Sequence, residues 1–280
     1  MIMRKIIISI FLVLTFLCSP AMSKTTVDWF KKADELFDRD GEQYTNPIKA
    51  IEYLNNSIKL KPNYAEAYMR RGIALNDLEQ YQFAIEDFNK AIRLKPDLTT
   101  AYNNRGIAYR KLGQYQRAIE NYSEAIRLQP VLAKAYYNRG LAYNDLGQYQ
   151  RAIEDYNEAI RLKPDLADAY GNRGLAYVNL GQYQRAIEDY HEAIRLKPGL
   201  AENHYNRGIG YYDLGQYQRA IEDYNEAIRL KPGLAIAYIG RGLAYFMQGD
   251  KKLGCPDVQK ACELGNCTLL EDFKGKGNCR

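Results

Sequence analysis

The chain has 280 residues, 26% of them charged, and a formal net charge of +5. No long block of Lys or Arg accompanies that surplus, so the balance gives no reason to expect a nucleic-acid partner. Only five cysteines occur, and Cys255, Cys262, Cys267 and Cys279 crowd the end of the chain. A redox site, a metal cluster and a structural staple are all open on that count alone.

The N-terminus reads as a targeting signal. Arg4 and Lys5 form a short basic region, residues 6–17 are an apolar run, and residues 18–23 carry small, turn-prone residues. That is the layout of a secretory signal peptide over residues 1–23, and the run is too short to cross a bilayer comfortably. Ala21 and Ser23 suit cleavage before Lys24; cleavage after Ala21 is the alternative. Leu17 and Phe16 are bulky where a lipoprotein signal wants small residues, which argues against anchoring through Cys18. The chain is therefore expected to be exported, periplasmic or secreted, without a transmembrane segment once processed. Loss of Arg4 and Lys5 lowers its formal charge to +3. The four remaining cysteines, an even number in an oxidising compartment, favour disulfides.

A period of 34 residues organises the rest. GQYQRAI begins at Gly113, Gly147, Gly181 and Gly215, and an Arg-Gly pair ends at Gly72, Gly106, Gly140, Gly174, Gly208 and Gly242. These divide the chain into a degenerate first unit over 26–64 and repeats over 65–98, 99–132, 133–166, 167–200 and 201–234. A divergent last repeat spans 235–268 and a C-terminal cap 269–280. Within 133–166, Tyr136, Gly140 and Tyr143, then Ala152, Tyr156, Ala159 and Ile160, recur at spacings of three, four and seven. Each repeat thus predicts two amphipathic helices. Gly147 supplies the left-handed residue that ends the first, and Pro164 ends the second. Asp165 is placed to cap the next first helix with its carboxylate, as are Asn63 and Asp97. Gly140 and Ala152 let the two helices approach closely. One such hairpin cannot bury its apolar face alone, so successive hairpins must stack.

The pattern Tyr136, Gly140, Tyr143, Ala152, Tyr156, Pro164, repeated as Tyr170, Gly174, Tyr177, Ala186, Tyr190, Pro198, resembles the tetratricopeptide repeat. The resemblance extends from residue 26 to about residue 268. It implies an all-α fold, a right-handed superhelical solenoid of helix-turn-helix units, acting as a non-catalytic scaffold that binds peptide segments or partner proteins. The departures lie at the ends. The first unit keeps Trp29, Ala33, Ala50, Leu54 and Pro62 but has an overlong turn at 40–47, expected to be mobile. Glu79 replaces the turn glycine of the next unit. In the last, Gly254, Lys251 and Asn266 replace the small Ala, the turn Tyr and the closing Pro, as befits a cap.

Function is then read down columns. Two residues before each helix glycine stand Arg70, Asn104, Asn138, Asn172, Asn206 and Gly240. In the tetratricopeptide family that position faces the concave groove. The four asparagines resemble the asparagine ladder of the animal O-linked N-acetylglucosamine transferase, whose amides hold an extended peptide's backbone. An amide offers donor and acceptor together, which suits a peptide unit whatever its side chain; alternatively the amides bond local backbone groups or stay hydrated. Tyr137 and Tyr205 flank this column, and Asn144, Val178, Tyr212 and Phe246 follow it, so the groove is expected to turn apolar toward the C-terminus. The Ile107, Leu141, Leu175, Ile209 and Leu243 column reads mainly as packing between units.

The residue before each glycine is always Arg, from Arg71 to Arg241, opposite Asp87, Asn121, Asp155, Asp189, Asp223 and Asp257. Structural ion pairs are expected there rather than a basic stripe for acidic ligands. Neither of the two histidines, His191 and His204, has a companion at catalytic or metal-ligand spacing, and no phosphate loop occurs. No catalytic residue, metal ligand or cofactor is therefore assigned.

At the C-terminus, Pro256 suits the first turn of the last second helix, Gly265 its end, and 268–274 a short helix running back along it. Cys255 and Cys262, seven helical residues or about 10 Å apart, cannot easily bond each other. Pairing Cys255 with Cys279 and Cys262 with Cys267 is preferred; Cys255 with Cys267 and Cys262 with Cys279 is the alternative. The absence of C-x-x-C weakens a zinc or thioredoxin-like site. Two rivals to the scaffold remain: a thiol or metal redox protein using these cysteines, and an architectural protein that self-associates through its ends.

Overall fold

The computed structural model describes residues 25–38, 43–267, 269–271 and 279. The signal-like segment, residues 40–42 of the overlong turn and most of the proposed C-terminal return helix lie outside them. The described residues form stacked helix-turn-helix repeats with no strand beyond an isolated bridge between Phe37 and Tyr44. The chain divides into two compact units, Met1–Leu112 and Gly113–Arg280.

In the first unit, α1 (Thr26–Asp34) pairs with α2 (Pro47–Leu60), α3 (Ala65–Asp77) with α4 (Tyr81–Leu94), and α5 (Thr99–Lys111) packs on both α3 and α4. The second unit begins with α6 (Tyr115–Leu128). It continues with the hairpins α7/α8 (Ala133–Asp145, Tyr149–Leu162), α9/α10 (Ala167–Asn179, Tyr183–Leu196), α11/α12 (Ala201–Asp213, Tyr217–Leu230) and α13/α14 (Ala235–Met247, Lys251–Glu263). Each second helix packs on the next first helix, and α7, α9, α11 and α13 touch in sequence, so the first helices share one face of the unit.

The close contacts explain the repeated small residues. A Cβ at Gly140 would stand 2.7 Å from the ring of Tyr156, itself wholly buried between α7 and α8. The glycine therefore makes room for an aromatic ring rather than only for a backbone. Ala152 and Ala159 are fully buried on the same hairpin. Gly147 takes φ +71° in the turn, where its N–H reaches Asn144 and the next N–H reaches Tyr143, closing the last turn of α7. Glu79 holds the same left-handed place with φ +58°.

Helix starts differ from expectation. Asn63, Asp97 and Asp165 do not occupy the cap positions, which fall instead on Tyr64, Leu98 and Leu166, and none of these makes a side-chain cap bond. The bend after each Pro carries the chain one residue further than the sequence spacing suggests. Side-chain caps appear instead at the irregular ends. Thr25 makes a capping box with Asp28, Asn46 accepts from Lys49 N–H and Asp250 from Leu253 N–H. Because Asp250 starts α14 at Lys251, Pro256 lies inside that helix and not in its first turn.

Candidate peptide-binding face

In the first unit, Asn104 is half-buried on α5. Its Nδ2 donates to the Thr100 carbonyl at 2.9 Å, and its own carbonyl accepts from Asn76 Nδ2 at 3.1 Å. In the second unit, Asn172 on α9 spends both amide hydrogens. One goes to the Asp168 carbonyl at 2.8 Å and the other to the Tyr137 hydroxyl at 3.1 Å. The side chain is thereby locked, with Oδ1 left as acceptor. Asn206 on α11 is half-buried, whereas Asn138 on α7 is only 8% exposed. The four members of the column are thus not equivalent, and backbone bonding one turn back, weighed as an alternative to peptide binding, is present at Asn104 and Asn172.

Aromatic rings border these amides in the second unit. Tyr137 lies 6.1 Å from Tyr156, Tyr205 lies 5.8 Å from Tyr224, and Tyr212 meets Tyr217 edge-on at 5.4 Å. Burial pushes the Tyr205 and Tyr212 hydroxyls above their ordinary range. Phe246 is half-buried and packs with Val258, Leu270 and Cys279 at the last hairpin, as Tyr205 and Tyr212 pack on the cluster around Tyr224. Val178 and Tyr212, in the same column, are half-buried as well. Sequence spacing could not reveal the Asn172–Tyr137 bond directly, although the 35 residues between them, one repeat plus one, are what places them side by side.

The arginine column pairs within hairpins. Arg71, Arg139, Arg173, Arg207 and Arg241 each grip their aspartate through Nε and Nη2, Asp87, Asp155, Asp189, Asp223 and Asp257 respectively, at 2.6–2.8 Å. These bidentate pairs fix the register of first helix against second. Burial pushes Asp155 and Asp189 above the usual carboxylate range despite their arginines. Burial acts the same way on Asp223, but its bonded Arg207 and the facing His204 hold it below that range.

At the C-terminus the structure brings Cys255 to Cys279 and Cys262 to Cys267, with Cα separations of 5.6 and 4.0 Å, within sulfur bonding reach. Gly265, at φ +95°, ends α14 with its N–H on Cys262 and the following N–H on Ala261. Among the described residues no three His, Cys, Asp or Glu side chains gather in a way that could hold a metal ion, and no helix is long and apolar enough to cross a membrane.

This geometry is that of a tetratricopeptide repeat scaffold, and the comparisons agree. Family models described as TPR repeat match residues 106–146, 140–181 and 210–249, and others described as tetratricopeptide repeat match 65–98, 167–200 and 88–120. Together they cover more than half of the chain, which belongs to this family. No curated relative matches it. Among solved structures, that of the MamA protein is 31% identical over 64% of this chain and 94% of its own, with a TM-score of 0.56. YrrB, described as a TPR protein with an unusual peptide-binding site, is 23% identical over 67% of this chain and 96% of its own, with a TM-score of 0.57. PilF of Pseudomonas aeruginosa is 17% identical over 76% of this chain and 97% of its own, with a TM-score of 0.66. The last two speak for the fold alone. Scaffolds of this family typically serve protein–protein interaction.

Proposed function

We propose that the protein is a non-catalytic adaptor of the cell envelope that holds extended segments of partner proteins on the face formed by its first helices. The observation that carries this reading is the Asn172 side chain. With both amide hydrogens tied to Asp168 and Tyr137, its Oδ1 is a pre-positioned acceptor for a peptide N–H. A locked acceptor costs no rotamer entropy on binding. It asks only for a backbone N–H, so recognition tolerates many sequences. Tyr137, Tyr205 and Tyr212 then supply ring faces for apolar side chains of the bound segment. YrrB, a fold neighbour, is described as having a peptide-binding site, which is consistent with this use. Export rests on the basic and apolar character of residues 1–23. In the same proposal the four C-terminal cysteines are a disulfide staple and not a redox centre.

The test starts with a pull-down from cell-envelope extract, followed by anisotropy measurements on a labelled segment of whatever protein is captured. Replacing Asn138, Asn172 and Asn206 together by Ala should weaken binding by about tenfold or more, with Asn172→Ala the costliest single change. Adding Asn104→Ala extends the series to the first unit. Unchanged affinity in the multiple variant would remove the asparagine column from the binding site.

A further inference from the structure

Five first helices carry the same small assembly beside the arginine column. The guanidinium of Arg71 lies 5.5 Å from the ring centroid of Tyr68, and Arg105, Arg139, Arg173 and Arg241 lie 5.3, 5.7, 5.5 and 5.5 Å from Tyr102, Tyr136, Tyr170 and Tyr238. In the hairpin of α11 and α12 that tyrosine is replaced by His204. The imidazole is shorter than a phenol and lacks its hydroxyl. A second substitution falls at the same place: where Arg71, Arg173 and Arg241 donate through Nη1 to an asparagine Oδ1 at 2.6 Å, Arg207 meets His191 Nδ1 at 3.5 Å. The two histidines, without companions along the sequence, are therefore brought together by the fold across α10 and α11.

They line a cleft of about 370 Å³ with Arg207, Arg219, Glu222 and Glu226. His204 is only 8% exposed, and its Nδ1 is buried without a hydrogen-bond partner, 3.5 Å from Asp223 Oδ1. An unsatisfied buried nitrogen, a long arginine contact and an open volume coincide at the one repeat of the six that lacks its tyrosine. Metal binding does not account for them, since no three ligands converge there among the described residues.

We propose that this cleft receives a tyrosyl side chain from a protein partner, which lies beside His204 and supplies the phenol that the chain's own tyrosine supplies in the other hairpins. The guanidinium of Arg207 offers the face against which such rings lie in the other five cases. The rim supplies the acceptor for a phenol hydroxyl, because Glu222 is exposed and Glu226, though bonded to Arg229, retains further lone pairs. Counted with Asp223, the carboxylates of the lining outnumber Arg207 and Arg219 three to two, which disfavours an anionic guest, so the ring should be neutral and borne inside a polypeptide rather than on a free amino-acid carboxylate. His191 and the two glutamates stand on second helices, so this site is separate from the asparagine column of the first-helix face, and either can fail without the other.

Because the chain contains only two histidines, their imidazole proton resonances report the cleft directly. Titrating the purified protein with N-acetyltyrosinamide should shift both sets of signals saturably. N-acetylphenylalaninamide and N-acetyltyrosine carboxylate should bind about tenfold more weakly or worse. His204→Tyr, which restores the residue of the other hairpins and should keep or raise the unfolding midpoint, should abolish the saturable shift of His191. Absence of saturation, equal binding of the phenylalanine analogue, or undiminished binding by the folded His204→Tyr variant would each overturn the proposal.

Discussion

The interior hairpin α7/α8 and the last hairpin α13/α14 solve one packing problem with different residues. In the interior, Tyr156 is buried against Gly140 and the next hairpin covers what remains exposed. In the last hairpin, Val258 stands in the tyrosine's column and Gly254 in that of Ala152. The helices then come close enough that a Cβ at Gly254 would lie 3.0 Å from the carbonyl of Gly242. The backbone approach itself is shared, since a Cβ at interior Gly174 would lie 3.3 Å from the Ala186 carbonyl and one at Gly242 3.2 Å from that of Gly254; what differs is the side chain that fills the space beside it. The uncovered side is filled by Phe246, Leu270 and Cys279, in place of a further repeat. A repeat array can thus end by shrinking its core and importing a short segment, provided that the segment is held down. Holding it down is the role proposed for the cysteines.

Breaking that hold should give the largest effect. Replacing Cys255 and Cys279 by Ser opens a loop of 24 residues, and chain entropy puts the loss at about 3 kcal/mol. Such arrays unfold in parts, so the loss should be read locally: amide exchange in α14 accelerates while that in α7 and α8 is unchanged. Exchange that speeds equally in both hairpins would mean that the bridge does not act as a lid. Thiol titration of the untreated protein gives the companion result, no free thiol from these four residues.

A smaller effect separates the two cores themselves. Gly140→Ala drives a methyl to 2.7 Å from a buried ring with no room to move, and overpacking of this kind costs about 2 kcal/mol. Gly242→Ala meets Val258 at 3.1 Å and the Gly254 carbonyl at 3.2 Å, a gentler contact that should cost about 1 kcal/mol. Urea denaturation of the two variants, followed by amide exchange in each hairpin, ranks them. Equal losses would show that the ring of Tyr156 is not what demands the glycine.

The fold was legible because one solution is written repeatedly. Tyr136, Gly140, Ala152 and Tyr156 recur in register, and each recurrence confirms the helical period, the turn and the close approach. Legibility falls where chemistry depends on a neighbour in space. Asp165 has a capping side chain at plausible spacing, yet the bend after Pro164 moves the helix start past it to Leu166. Phe246 shares its column with the half-buried Asn144, Val178 and Tyr212, and only the fold shows that its ring packs with Val258, Leu270 and Cys279. Asn138 and Asn172 look alike in sequence, and only the fold shows one buried and the other locked by a tyrosine from the preceding repeat. His191 and His204 are separated by a turn and two helix ends, so no linear spacing announces that they face one cleft.

The smallest expected effect lies at a turn and sharpens the contrast between regular and irregular units. Gly147 adopts φ +71° with nothing within 4 Å of a would-be Cβ, so its turn requires glycine for backbone reasons alone. Glu79 adopts φ +58° at the corresponding place without that freedom. A left-handed L-residue costs about 1 kcal/mol, part of which glycine returns through its greater freedom in the unfolded chain. Glu79→Gly should therefore stabilise the α3/α4 hairpin by about 0.5 kcal/mol, and Gly147→Glu should destabilise α7/α8 by about the same. Amide exchange in α4 and α8 measures both. Opposite signs of similar size would establish the turn as a separable module, whereas a loss at both positions would mean that the Glu79 side chain contributes a contact that outweighs its backbone strain.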